Sequence, residues 1–194
     1  MTINLQKGQR VTLDNSMAIA LVGLGWDVNK YEGGSDFDLD ASCFLVGENG
    51  KANREEDFIF YNNLKSRGNA VIHTGDNRTG EGDGDDEVIR VNFKKVPEDI
   101  KKIVVCVTIH EAEVRRQNFG QVSGAYVRLD KIANETDTSG ETVLKFDLAE
   151  EFSVETAIVV CELYKYNNVW KFNAVAAGYQ GGLSALCRSY GLDA

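Results

Sequence analysis

Apolar and polar residues alternate with a period of two over much of this chain. The clearest stretch is residues 37–46. Phe37, Leu39, Ala41, Cys43 and Leu45 fall on one face, and Asp36, Asp38, Asp40 and Ser42 on the other. Successive side chains of a strand point to opposite faces, so this pattern predicts a strand with one apolar side. Apolar or alternating runs bounded by Asn, Gly and Asp predict further strands over residues 10–13, 17–26, 58–61, 70–73, 88–93, 102–110, 126–132, 143–148, 157–166 and 169–177. The centre of 102–110 is apolar throughout, as a strand buried on both faces would be. Asn167-Asn168 suits a two-residue hairpin turn between the last two strands. Helical signals are few. Residues 183–190, with Gly191 as a stop, form the one credible helix, and 115–122 reads as a short helix or an ordered loop. About ten strands at this spacing predict an all-β fold, an antiparallel β-sandwich with a short C-terminal helix.

Composition adds bounds rather than a function. A chain of 194 residues, 43% hydrophobic, can bury a substantial core. It has one proline, Pro97, and no Pro- or Ser-rich linker, so a single domain over residues 1–194 is expected. The N-terminus has no signal-peptide pattern, and the longest near-apolar run, 17–26, is too short to span a bilayer. A cytoplasmic protein is expected. Cys43, Cys106, Cys161 and Cys187 form no Cys-x-x-Cys pair, and three lie in apolar runs, which favours buried, reduced thiols. The acidic balance argues against nucleic-acid binding, which needs clustered Lys and Arg.

Charge changes the reading. In residues 27–40, Asp27, Glu32, Asp36, Asp38 and Asp40 stand against Lys30 alone. In residues 76–87, Asp76, Glu81, Asp83, Asp85, Asp86 and Glu87 stand against Arg78, with Gly80, Gly82 and Gly84 between them. These two windows account for the whole formal net charge of -9. Acidity so concentrated is either a solvated edge that discourages aggregation or a cage for a hard cation. Neighbouring Asp36, Asp38 and Asp40 on one strand face lie ~6.5–7 Å apart, within joint reach of a cation. Calcium takes six to eight oxygen ligands in tolerant geometry, whereas magnesium keeps several waters and zinc prefers sulfur and nitrogen. Candidate ligands are Asp27, Asp36, Asp38, Asp40, Asp76, Asn77, Gly80, Glu81, Asp83, Asp85, Asp86 and Glu87. His73 and His110 could act as outer partners of these, though a structural role is favoured for both.

Residues 76–87 are not an EF-hand. That loop needs oxygen side chains at its third and fifth places and glycine at its sixth, where this chain has Arg78, Gly80 and Glu81. A metal-dependent phosphoester hydrolase built on the same carboxylates is the alternative reading. Against it, the chain has neither a Gly-x-Ser-x-Gly nucleophile motif nor a phosphate-binding glycine loop ending in Lys-Ser/Thr. Redox chemistry by isolated, buried thiols is weaker still.

One family resemblance runs through the chain. Gly25-Trp26-Asp27, Asp38-Leu39-Asp40-Ala41-Ser42-Cys43, Phe60-Tyr61-Asn62-Asn63, and His73 through Asn77 resemble the TerD family of bacterial tellurium-resistance and general stress proteins. So do residues 79–87, Thr108-Ile109-His110-Glu111-Ala112, and Gln117 through Val122. Glu155-Thr156-Ala157, Trp170-Lys171-Phe172 and Gly178-Tyr179 complete the match. The resemblance implies a β-sandwich that binds calcium, two or more ions, through its acidic loops. It also implies a non-enzymatic role in resistance to tellurite, phage and colicins. The implied partners are other resistance and stress proteins, in complexes associated with the inner face of the membrane. No small-molecule substrate is implied.

Overall fold

The computed structural model describes residues 2–27, 37–74, 84–148 and 152–193. Twelve strands occur among them. They are β1 (Ile3–Leu5), β2 (Arg10–Thr12), β3 (Ile19–Gly25), β4 (Leu39–Val46), β5 (Phe58–Ile59), β6 (Val71–His73), β7 (Glu87–Asn92), β8 (Lys102–Ile109), β9 (Tyr126–Ile132), β10 (Glu141–Asp147), β11 (Ala157–Tyr166) and β12 (Val169–Tyr179). Two short α-helices are α1 (Ala112–Arg115) and α2 (Gly182–Ser189). No helix among the described residues is long and apolar enough to cross a membrane.

The strands form two six-stranded sheets, ordered β1-β10-β9-β3-β7-β6 and β2-β12-β11-β8-β4-β5. Their facing sides enclose the main core. Ala20, Val22 and Leu24 of β3 and Val127 and Leu129 of β9 meet Leu39, Ala41, Cys43 and Leu45 of β4 and Val105 and Val107 of β8. Alternation along 37–46 therefore placed its apolar face correctly. The opposite face of the second sheet is apolar further along. Phe44, Val46, Val104, Cys106 and Val159 lie under Leu186 and Cys187 of α2. This second layer makes β4 and β8 near-continuous apolar strands, since both their faces are covered.

Local chemistry explains the ends of elements. Asn167 and Asn168 have φ of 49° and 59°, the positive values a tight hairpin turn of the I′ kind requires. Helix α2 ends in a Schellman arrangement: Leu192 N–H donates to Cys187 O at 2.9 Å, Gly191 N–H to Arg188 O at 3.2 Å, and Gly191 has φ 84°.

One pairing departs from the antiparallel expectation. β1 joins β10 in parallel, in the register Ile3↔Leu144 and Leu5↔Phe146. Residues 3–5 are not among the predicted strands, and this one exists because β10 offers it a free edge. All other pairs are antiparallel.

Candidate functional site

Strand register brings the acidic positions to one end of the sandwich. Leu24 pairs with Glu87 and Gly25 with Tyr126 in the first sheet, while Leu39 pairs with Ile109 in the second. The ends of β3, β6 and β8 and the starts of β4, β7 and β9 thus share this end. Of the candidate ligands, Asp27, Asp38, Asp40, Asp85, Asp86 and Glu87 are placed here. Asp36, Asp76, Asn77, Gly80, Glu81 and Asp83 lie outside the described residues.

On the first sheet, Asp85 lies over the outer face. Gly23 makes this possible, because a Cβ there would collide with the Asp85 carboxylate. Arg128 Nε contacts Asp85 Oδ1 at 2.8 Å and Oδ2 at 3.0 Å. The Tyr126 hydroxyl donates to Asp85 Oδ1 at 3.0 Å. Burial raises the Asp85 carboxyl above its usual range, against the pull of Arg128. Asp86 accepts the Trp26 backbone N–H at 2.9 Å, and burial raises it too. Asp27 receives the Ser123 hydroxyl at 3.3 Å and packs over Gly124, which has φ 66°.

On the second sheet, Asp38 and Asp40 point away from the main core yet are only 5% and 8% exposed. A solvated acidic edge does not describe them. Arg115 Nη2 lies 3.4 Å from Asp38 Oδ2, and His110 Nδ1 lies 3.4 Å from Asp40 Oδ2. The corner that carries Arg115 is held tightly, with Glu111 and Arg116 both left-handed at φ 50° and 54° on either side of α1. Asp40, His110 and Glu111 then border a cleft of about 540 Å³ with Tyr61, Ser184 and Arg188.

Glu87 joins the two sheets. It alternates with Ile89 and Val91, so it points inward, and it is 2% exposed. Its Oε2 accepts the backbone N–H of Ala41, from the other sheet, and lies 3.5 Å from His73 Nε2. Burial pushes its carboxyl up to about 7. The bonds from His73 and Ala41 oppose that rise, and the nearby Asp40 charge adds to it. Burial and the nearby Asp40 charge both disfavour the ionised form of Glu87.

These donors are oxygens, which fits a hard cation rather than zinc. Among the described residues, however, no group of three or more His, Cys, Asp or Glu side chains is arranged to hold a metal ion. Each described candidate is instead engaged with an N–H, a hydroxyl or a cationic side chain. Both histidines contact candidate carboxylates. Sequence reasoning missed Arg128, Tyr126 and Trp26 as partners. For Tyr126 and Arg128 the signal was the outward-facing Tyr126, Arg128 and Asp130 of β9, a polar stripe opposite Val127 and Leu129.

All four cysteines are buried and free. Cys43 of β4 and Cys161 of β11 both stand opposite Val105 of β8, so residues far apart in the chain become neighbours. Burial raises each thiol above its usual range.

Comparison with known proteins is consistent with this architecture. The TerD domain model matches residues 1–190. Tellurium resistance protein TerD of Alcaligenes sp. is 53% identical over 197 residues, covering 100% of both chains. General stress protein 16U of Bacillus subtilis (strain 168) is 53% identical over 196 residues, covering 100% of this chain and 99% of that one. A crystal structure of a homologue of telluride resistance protein (TerD) from Streptomyces coelicolor A3(2) superposes with a TM-score of 0.68 at 18% identity. It covers 88% of this chain and 95% of that one.

Proposed function

The chain belongs to the TerD family, and on that premise we propose that it is a non-enzymatic, calcium-binding protein of the bacterial stress response. It contributes to tellurite resistance, and to phage and colicin resistance, through complexes with other stress proteins. Relatives named for tellurium resistance and general stress support the physiological part.

One observation carries the calcium part. Both sheets deliver carboxylates to the same end, with Asp85, Asp86 and Glu87 from one and Asp38 and Asp40 from the other. The chain also enters and leaves residues 28–36 and 75–83, which hold the remaining candidates, at that end. Asp38, Asp40, Asp85, Asp86 and Glu87 would contribute to holding calcium together with those candidates. A bound cation would stabilise the ionised form of Glu87 against its burial and the nearby Asp40 charge.

Calcium should raise the melting temperature by mass action, and magnesium should raise it less. Identical melting curves in calcium and in chelator would remove the calcium reading. By titration calorimetry, Asp38→Asn and Asp76→Asn should weaken calcium binding far more than Glu48→Gln or Glu141→Gln, which lie outside the acidic windows. Turnover of p-nitrophenyl phosphate with calcium, magnesium or manganese would overturn the non-enzymatic assignment.

A further inference from the structure

We propose that the groove beside α2, on the outer face of the second sheet, is the docking site for a cationic amphipathic helix of a partner protein. The inference rests on the complex-forming part of the function above and is independent of its calcium part.

The second sheet presents more outer face than α2 can cover. Six strands at ~4.8 Å spacing span about 24 Å. An eight-residue helix is ~12 Å long and ~10 Å wide. Beside it runs a groove of about 650 Å³, walled by Leu183, Cys187 and Leu192 on one side and Phe58 and Phe60 on the other. Its aromatic side is stiff. The rings of Tyr190, Phe44, Phe58 and Phe60 stack in series, with centroids 4.6, 4.6 and 4.4 Å apart. Tyr61 continues the series edge-on at 5.1 Å and is 37% exposed.

Three features select the occupant. The charged residues that line the groove, Glu55, Glu56 and Asp193, are all acidic and all exposed, which favours a cationic partner. Of the three uncharged polar residues that line it, Asn62 is exposed, and Asn63 and Ser184 are turned toward the protein itself. Asn63 Nδ2 donates to Phe58 O at 2.6 Å, and Ser184 Oγ accepts from Arg188 at 2.6 Å. Without convergent polar groups, a small polar ligand has little to recognise. Strand addition is also blocked. β5 has two residues, and beyond it Phe60 and Asn63 satisfy each other's backbone groups at 3.1 and 2.9 Å. A helix needs no backbone partner from the groove. It can lay apolar residues at i, i+3/i+4 and i+7 between α2 and the aromatic series, with Lys or Arg flanking them toward the acidic rim.

The test uses the full chain and a fluorescein-labelled 18-residue Leu/Lys amphipathic peptide, with a Leu/Glu peptide of the same pattern as control. Affinity is read by fluorescence anisotropy at ~0.15 M salt. Glu55→Lys/Glu56→Lys and, separately, Leu183→Ser should each weaken binding of the Leu/Lys peptide by about tenfold or more. The pair Glu141→Lys/Asp147→Lys, exposed on β10 of the first sheet and with the same charge change, should alter it by less than about twofold. Circular dichroism and melting curves establish that each variant is folded, and the exposed rim pair keeps the test decisive if Leu183→Ser is not. Equal weakening by the two charge pairs would overturn the proposal, as would indifference to Leu183→Ser in a folded variant, absence of saturable binding, or preference for the Leu/Glu peptide. Native-cell pull-downs with the same variants separate the two levels. Partners recovered equally by wild type and rim variant refute the groove alone, whereas recovery of no partner refutes the complex-forming function.

Discussion

Replacing Glu87 by Gln isolates the energetic cost of the charge that ties the two sheets together. Glu87 is buried, accepts the Ala41 N–H and lies within reach of the Asp40 charge. Its carboxyl titrates at about 7 rather than the ordinary 4.5. The native state therefore holds this proton more tightly than the unfolded chain does. Between pH 4.5 and 7 the unfolded state binds fewer protons, so stability falls as pH rises through that window and levels off above it. At about 1.4 kcal/mol per pH unit, the full loss is roughly 3 kcal/mol. Gln keeps an oxygen for Ala41 and cannot ionise. In chelator, Glu87→Gln should match or fall slightly below wild type near pH 4.5 and exceed it by roughly 3 kcal/mol above pH 7. For a chain of this size that is a difference of roughly 6–12 °C in melting temperature. Urea denaturation and calorimetry across pH 4.5–8 measure it, and the difference between the two proteins cancels titrating groups that do not interact with Glu87, leaving those coupled to it, His73 and Asp40. A difference that does not change with pH, or that favours wild type at high pH in chelator, would refute the reasoning. Added calcium should shrink the variant's advantage, because a cation near Glu87 stabilises the carboxylate and gains nothing from Gln.

Three further outcomes follow from individual contacts. Gly23→Ala should destabilise the fold by about 1–3 kcal/mol, because the new Cβ displaces Asp85 from Arg128; a neutral effect in denaturant melts would contradict that packing. Arg128→Met should cost roughly 1–3 kcal/mol at neutral pH and progressively less as pH falls and Asp85, which burial raises above its usual range, takes up a proton; a pH-independent cost would mean that the ion pair contributes nothing. In the folded protein Cys43, Cys106 and Cys161 should not react with a thiol-specific reagent within minutes, whereas they should react in denaturant; rapid labelling of any of the three would contradict their burial.

Much of the architecture was legible in the chain because it rests on local periodicity. The alternation in 37–46 assigned the two faces of β4 correctly, the apolar centre of 102–110 announced a doubly covered strand, and Asn167-Asn168 marked a hairpin. Each signal is carried by residues close in sequence, so one dimension suffices to read it. The concentration of charge in two windows was likewise visible without coordinates.

What the sequence could not supply is the identity of neighbours. Ile3–Leu5 becomes a strand only because the edge of β10 is open to it. Asp38 and Asp40 read as part of a cation cage or a solvated edge, and only the fold shows that α1 and the end of β8 bring Arg115 and His110 against them. Glu87 reads as the last charge of an acidic loop, yet the fold turns it inward to cap Ala41 across the sandwich. Cys43 and Cys161 are isolated in the chain and flank the same Val105 in the sheets. The physical reason is common to all four cases. Periodicity decides which way a side chain points, whereas long-range strand register decides what it meets, and burial at that meeting sets its charge.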